Sequence, residues 1–261
     1  MGDESAVSSL LSIGTTHPRN VAGVGRDIVV SSHFGVTCFT VVAAVSSQNE
    51  QGLSALYPLE AAIVGEQLAV MPWERIDAVR IGALVTSENI AIVTHALRER
   101  EIPVVVDPVL RATLGGAFYD DASYDLLRDT LLVLPTAIPT PNIAEAARLL
   151  GVAHIDDAHM LEAATTLRGR GANAVVLTGG HRAEGAHDVL VDHRGPTWFE
   201  GERIDADLSG TGCTFAAALA AGLANRRDLI DAVADAREFV RGELLRASKG
   251  YSAFVTNSGR P

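Results

Sequence analysis

Lysine is almost missing: Lys249 is the only one in 261 residues, and 21 basic residues face 32 acidic ones, for a net charge of −11. A polybasic face for nucleic acid or for an anionic membrane surface is therefore excluded. Cysteine is nearly as scarce. Cys38 and Cys213 make no disulfide framework and suit a reducing, cytoplasmic compartment. No stretch approaches the roughly 20 uninterrupted apolar residues of a membrane span. The opening MGDESAVSSLLSIG lacks a basic segment and a long apolar one, so no secretion signal is expected. The eight histidines show neither H-x-x-x-H nor Cys/His ligand spacing, which argues against zinc. Neither G-x-x-x-x-G-K-[ST] nor G-x-G-x-x-G occurs, which disfavours two common nucleotide-binding folds. Linkers, low-complexity tracts and repeats are also lacking. One domain over 1–261 is the expectation, and at 48% hydrophobic residues it can bury a sizeable core without staples.

What is present is alternation. Short apolar runs at 7–14, 37–46, 78–82, 102–106, 131–135, 173–178, 188–192 and 196–200 read as strands. Several are β-branched without polar alternation, as strands covered on both faces are. Between them, 22–34, 59–71, 87–100, 122–129, 142–150, 157–170, 212–224 and 228–247 read as helices. This order predicts an α/β fold, a mainly parallel central sheet with helices on both faces, and a late antiparallel hairpin across HRGP.

Ligands of such sheets sit at the carboxyl ends of the strands. Those ends supply Asp107, then Asn142 with Glu145, then GGH at 179–181, and finally the loop SGTGC before an alanine-rich helix. A helix start bare of side chains is an anion site, because unpaired N–H groups and the helix dipole point at the ligand. Gly210 and Gly212 let backbone approach closely; glycines there also merely permit tight packing. At the first turn a Cys213 thiolate would be stabilised by the dipole, unless the residue is simply a small buried hydrophobe. Asp107 and Glu145 could hold Mg²⁺ through water beside phosphates. Asn142 followed three residues on by Glu145 equally fits a capping box. His181, after two glycines, is the histidine expected nearest the ligand.

GTGCTFAAALAAGLA, TPNIAEAARLLG, DPVL followed by LGG, LTGGH…DVLVD and AAVSSQNEQG together resemble the hydroxymethylpyrimidine/phosphomethylpyrimidine kinases of thiamin biosynthesis. These are members of the ribokinase-like superfamily. The resemblance runs in the family's order from about residue 10 to 245. It implies a three-layer ribokinase-like fold, ATP and Mg²⁺ as cofactors, and a pyrimidine alcohol or its monophosphate as the small-molecule substrate. It further implies an anion hole at Gly210, Thr211 and Gly212, with Cys213 where most ribokinase relatives carry an aspartate base. Asn142 and Glu145 would match the Mg-phosphate motif, and Asp107 the carboxylate near the metal. Gln48 would read the aminopyrimidine edge, since its amide both donates and accepts. Dimerisation is supported by that analogy alone.

The departures fall at the site. The family's first loop, G-[ST]-D-x-S-G-G-A-G-I-Q-A-D, is TTHPRNVAGVGRD here; Ala22, Gly23 and Asp27 remain of its substrate-binding pattern. K-I-G-M-L is RIGAL, so Ala83 replaces a methionine that covers the pyrimidine. V-K-G-G-H is LTGGH, so Thr178, followed by Gly180 in the nucleotide-binding segment, replaces a phosphate-facing lysine. Charge for phosphoryl transfer must come from elsewhere, and Arg19 and Arg26 are at hand. Two alternatives stay open: a pyridoxal or pyridoxine kinase, because Ala83 leaves room for another ring, and a weakly active ligand-binding paralogue.

Overall fold

The computed structural model describes residues 7–49, 51–112, 115–179, 187–206 and 208–249. Its central sheet has six strands: β1 (Ser9–Thr15), β2 (Thr37–Asn49), β3 (Gly52–Pro58), β4 (Ala78–Ile81), β5 (Val104–Val106) and β6 (Ala137–Pro139). Their order is β3-β2-β1-β4-β5-β6, and every pairing is parallel except β2 with β3. A second, antiparallel sheet is formed by β7 (Val175–Thr178), β8 (Asp188–Asp192) and β9 (Gly195–Phe199). It continues the first, because the N–H groups of Asn173 and Thr178 donate to the carbonyls of Ala137 (3.0 Å) and Pro141 (2.9 Å).

Successive strand residues point to opposite faces, and here both faces are buried. Leu10, Ala78, Val105 and Ile138 pack on α1 (Gly23–His33) and on two helices introduced below, while Leu11, Ile13, Val79 and Val104 face the opposite layer. That opposite layer holds α2 (Ala61–Ala69), α3 (Ser87–Leu97), α4 (Asp121–Leu126), α5 (Ile143–Leu150) and α6 (Met160–Arg168). The first face is completed by α7 (Thr211–Ala224) and α8 (Leu229–Ser248). Ala216, Ala217, Ala218, Ala220 and Ala221 of α7 are all buried, so a helix apolar on every side sits centrally between sheet and α8. The three-layer α/β arrangement is the expected one.

Two local readings change. The apolar run at 131–135 is no strand. Residues Leu127–Leu131 form a π-helical turn continuing α4, and the strand is Ala137–Pro139. Leu127, Leu131, Leu132 and Leu134 are all buried; a continuous apolar run specifies burial without specifying backbone. Conversely, β3 is a strand where none was expected. GLSALYP has little β-branching and exposes Tyr57 at the sheet edge, and it forms because it pairs with β2 across a short turn.

Candidate active site

Five chain segments meet at the carboxyl ends of the strands around a cleft of about 830 Å³, counted to its open mouth. The loop after β1 contributes Ala22 and Gly23, β2 contributes Gln48, and the loop after β4 contributes Gly82 and Ala83. The segment after β5 contributes Val109 and Arg111, and the start of α7 contributes Gly210 and Cys213.

The entry to α7 is fixed by backbone geometry. Gly210 is its N-cap with φ +78°, a conformation open to glycine, and a Cβ there would lie 2.0 Å from the Val21 carbonyl oxygen. Gly23 is similarly bound: φ is +63°, and a Cβ would meet the Thr15 carbonyl oxygen at 2.2 Å. The first N–H of α7 bonded within the helix is that of Thr214, to the Gly210 carbonyl at 2.8 Å. The N–H groups of Thr211, Gly212 and Cys213 thus lie at the positive end of the helix dipole.

Beneath the cleft lies a feature that the sequence reading passed over. Arg80, in the middle of the apolar β4, is fully buried. Its Nη2 donates to Asp107 Oδ2 at 2.7 Å, and its Nη1 stands 3.3 Å from Asp27 Oδ2. Asp27 also accepts from Ser12 Oγ at 2.5 Å. Burial raises the pKa of both aspartates while the guanidinium between them pulls it down. Arg80 Nε and Asp27 Oδ1 have no hydrogen-bond partner among the described residues. Asp27, expected at the substrate, therefore lies under the floor. The signal for Arg80 was there to read: an arginine in a strand covered on both faces must be paired.

The Cys213 thiol has its charged form opposed by burial and the charges of Asp107 and Asp27, and favoured by the Arg80 guanidinium and the Gly23 N–H. Its expected lowering by the helix start is not met. Burial first, and then the negative charge of Asp107, push the thiol up to about 12. Cys38, half-buried on β2, is pushed up to about 11 by burial and the charge of Asp27.

Asn142 and Glu145 form the capping box of α5. The Glu145 N–H donates to Asn142 Oδ1 and the Asn142 N–H to Glu145 Oε2, both at 2.9 Å. Glu145 is buried, and burial with the nearby charge of Asp107 pushes its carboxyl up to about 8. Asp107 thus bears on Cys213 and on Glu145 alike. Thr178 lies beside Asn142 across a parallel bridge; neither lines the cleft. Gly180 and His181 lie outside the described residues. Arg26 is turned the other way, donating to Thr214 Oγ1 at 2.9 Å and Glu243 Oε2 at 3.0 Å, whereas Arg19 is on the cleft wall. No group of three or more His, Cys, Asp or Glu side chains able to hold a metal occurs among the described residues.

Comparison with known proteins bears on this arrangement directly. The phosphomethylpyrimidine kinase family model matches residues 18–254. A hydroxymethylpyrimidine/phosphomethylpyrimidine kinase of Rhizobium meliloti is 35% identical over 243 residues, covering 92% of this chain and 91% of its own. Among solved structures, an ADP complex of Bacillus subtilis pyridoxal kinase aligns with a TM-score of 0.82 at 29% identity, over 91% of this chain and 92% of its own. A phosphomethylpyrimidine kinase of Clostridium difficile aligns with a TM-score of 0.79 at 25% identity, over 90% and 98%. The fold is thus ribokinase-like. A match that begins in the altered first loop and runs past the glycine-rich start of α7 takes in most of the cleft lining, and the chain belongs to the phosphomethylpyrimidine kinase family.

Proposed function

We propose that this chain, acting as one ribokinase-like domain, transfers the γ-phosphoryl group of ATP to hydroxymethylpyrimidine, its monophosphate, or both, in thiamin biosynthesis. The observation that carries the reading is a single cleft bringing Gln48 and Ala83 into the same space as the bare helix start at Gly210 and Cys213. One end offers an amide and a small apolar surface to a heteroaromatic ring. The other offers N–H donors to an anion, the arrangement that phosphoryl transfer needs, since positioning and electrostatics supply nearly all of its catalysis.

In this reading the ring lies by Gln48 and over Ala83, and its hydroxymethyl group points toward α7. Gln48 donates to Ser46 Oγ at 2.7 Å, which orients the amide and leaves its carbonyl oxygen for an exocyclic amine. Gly210, Thr211 and Gly212 form the anion hole for the group in flight. Cys213 is placed to take the hydroxyl proton, but a thiol raised to about 12 is overwhelmingly protonated at neutral pH. It serves first as a hydrogen-bonding group that holds the acceptor oxygen in line. Asn142, Thr178 and Gly180 belong to the nucleotide side.

A Mg²⁺ ion belongs to the same proposal. Asp107 and Glu145 are two buried carboxyls with raised pKa, the charge of Asp107 bearing on Glu145, and such a pair fits a divalent cation held partly by water and phosphates. When bound there, the ion neutralises phosphate charge. The reading also places the protein in the cytoplasm, in line with two unpaired cysteines. A homodimer is carried by family analogy alone.

A second reading, a pyridoxal kinase, is favoured by Ala83, which takes little space above the ring. The test is ATP consumption by the purified protein with hydroxymethylpyrimidine, its monophosphate and pyridoxal in turn. Turnover of the pyrimidines ahead of pyridoxal supports the proposal; pyridoxal alone reverses it.

A further inference from the structure

Among the described residues, three other than glycine hold a positive φ: Asn20, Arg226 and Val85. Asparagine is tolerated in that region, and Arg226 sits just past the end of α7, where left-handed caps are common. Val85 has no such reason. A β-branched residue at φ +74° is a steric outlier, and such a conformation persists only where its surroundings over-determine it. Val85 lies two residues after Ala83, in the turn between β4 and α3 that supplies Gly82 and Ala83 to the cleft.

The groups that hold this turn come from both sides. From one, the Leu84 N–H donates to Tyr119 Oη at 2.7 Å. From the other, Asn89 Nδ2 donates to the Leu84 carbonyl at 3.3 Å, and also to the carbonyls of Ala43 (3.3 Å) and Leu59 (3.1 Å). This ties the turn to β2 and to the residue that follows β3. Leu84 and Asn89 are both fully buried. The Gly82 N–H donates to the Ile13 carbonyl at 2.8 Å just before the turn, and the Thr86 N–H to the Leu84 carbonyl at 2.9 Å just after it. Val85 is left between clamped neighbours and takes the strain. Tyr119 follows Phe118, a buried residue that lines the cleft from the segment after β5. Its hydroxyl therefore joins the wall that carries Phe118 to the wall that carries Ala83.

Resting on the kinase reading above, we infer that Tyr119 is a positioning residue for acceptor specificity: its hydroxyl holds the strained Val85 turn and so fixes Ala83 beneath the ring. A small side chain tells one ring from another only while its backbone stays in place, which is the task of the residues packed behind a binding wall. Without the hydroxyl, the Leu84 N–H is buried with no acceptor, and Val85 is free to leave the left-handed region. Both effects move the turn. The nucleotide side is untouched, since Asn142 and Thr178 lie outside this cleft.

The test measures kcat/KM for hydroxymethylpyrimidine and for pyridoxal in the wild type, in Tyr119→Phe, and in Tyr119→Phe combined with Val85→Asn. An inhibition constant stands in for a ring that binds without turnover. Tyr119→Phe should lower the discrimination between the two rings about tenfold, while the KM for ATP holds. Asparagine accepts the left-handed conformation, so in the double variant no strain drives the turn away and most of the discrimination should return. A hydroxyl that served stability alone would not be rescued at position 85. Unchanged discrimination in Tyr119→Phe, an equal loss for both rings, a raised KM for ATP, or a double variant no better than the single one overturns the inference and leaves the kinase reading standing. If Tyr119→Phe fails to fold, the double variant should fold and discriminate as the wild type does; its failure overturns the inference as well. A wild type that consumes no ATP with either ring or with hydroxymethylpyrimidine monophosphate overturns the kinase reading, and the inference with it.

Discussion

Replacing Arg80 by methionine tests the buried network most severely. The guanidinium is the one cation between Asp27 and Asp107, at 3.3 and 2.7 Å, and all three side chains are almost fully removed from water. Methionine fills similar space but leaves two carboxyls facing each other without a counter-charge. Breaking a buried pair by removing one partner costs about 3–5 kcal/mol, a large share of the 5–15 kcal/mol that typically holds a domain together. For a chain of this size that corresponds to a fall in Tm of roughly 10 °C. The pH dependence has a definite sign. Burial already raises both aspartates, and Arg80 is the group that pulls them down, so without it their folded pKa values climb further. A raised carboxyl contributes stability below its unfolded pKa and loses it as pH rises through the folded value. The deficit of the variant against wild type should therefore grow from about pH 4 upward and be smallest in acid. Urea unfolding of both proteins at several pH values measures it. A deficit under about 1 kcal/mol, or one that shrinks toward neutral pH, would refute the reasoning.

Three further outcomes follow from the same geometry. Alkylation of Cys213 should be slow at neutral pH and keep accelerating through pH 10, because burial and Asp107 push the thiol up to about 12; a plateau near pH 7 would contradict this. Glu145→Gln keeps the Asn142 half of the capping box and should cost about 0.5 kcal/mol in unfolding, while apparent Mg²⁺ affinity in turnover falls. In wild type that affinity should rise with pH through about 8 as the carboxyl ionises, and the variant should lose this dependence; identical Mg²⁺ titrations would make Glu145 a cap and nothing more. Gly210→Ala must shift the start of α7 away from the Val21 carbonyl and should cost at least about 1–3 kcal/mol of stability along with phosphoryl transfer. Normal turnover in that variant would remove the helix start from the site.

The layers were legible because hydrophobic burial leaves a direct trace: β-branched runs between amphipathic segments place sheet and helices within a residue or two at most ends. Where the trace fails, it does so for physical reasons. Leu131 to Leu134 are buried as helix and turn, which an apolar run looks like as much as a strand. β3 owes its form to its pairing with β2 rather than to its own residues. At the site, the backbone features were the readable ones, since Gly210, Gly23 and the Asn142–Glu145 box follow local rules of conformation. The electrostatic features were not. That Asp27 lies under the floor, that Arg80 joins it to Asp107, and that Cys213 is raised rather than lowered all depend on residues far apart in the chain.

The central claim is that one cleft holds the pyrimidine acceptor with its reacting group toward the start of α7. A crystal structure with hydroxymethylpyrimidine and a non-hydrolysable ATP analogue tests it most directly. The account predicts the ring between Gln48 and Ala83, with its hydroxymethyl oxygen within hydrogen-bonding reach of Cys213 and the γ-phosphate on the N–H groups that follow Gly210. A ring bound elsewhere, or one whose hydroxymethyl group points away from α7, would contradict it.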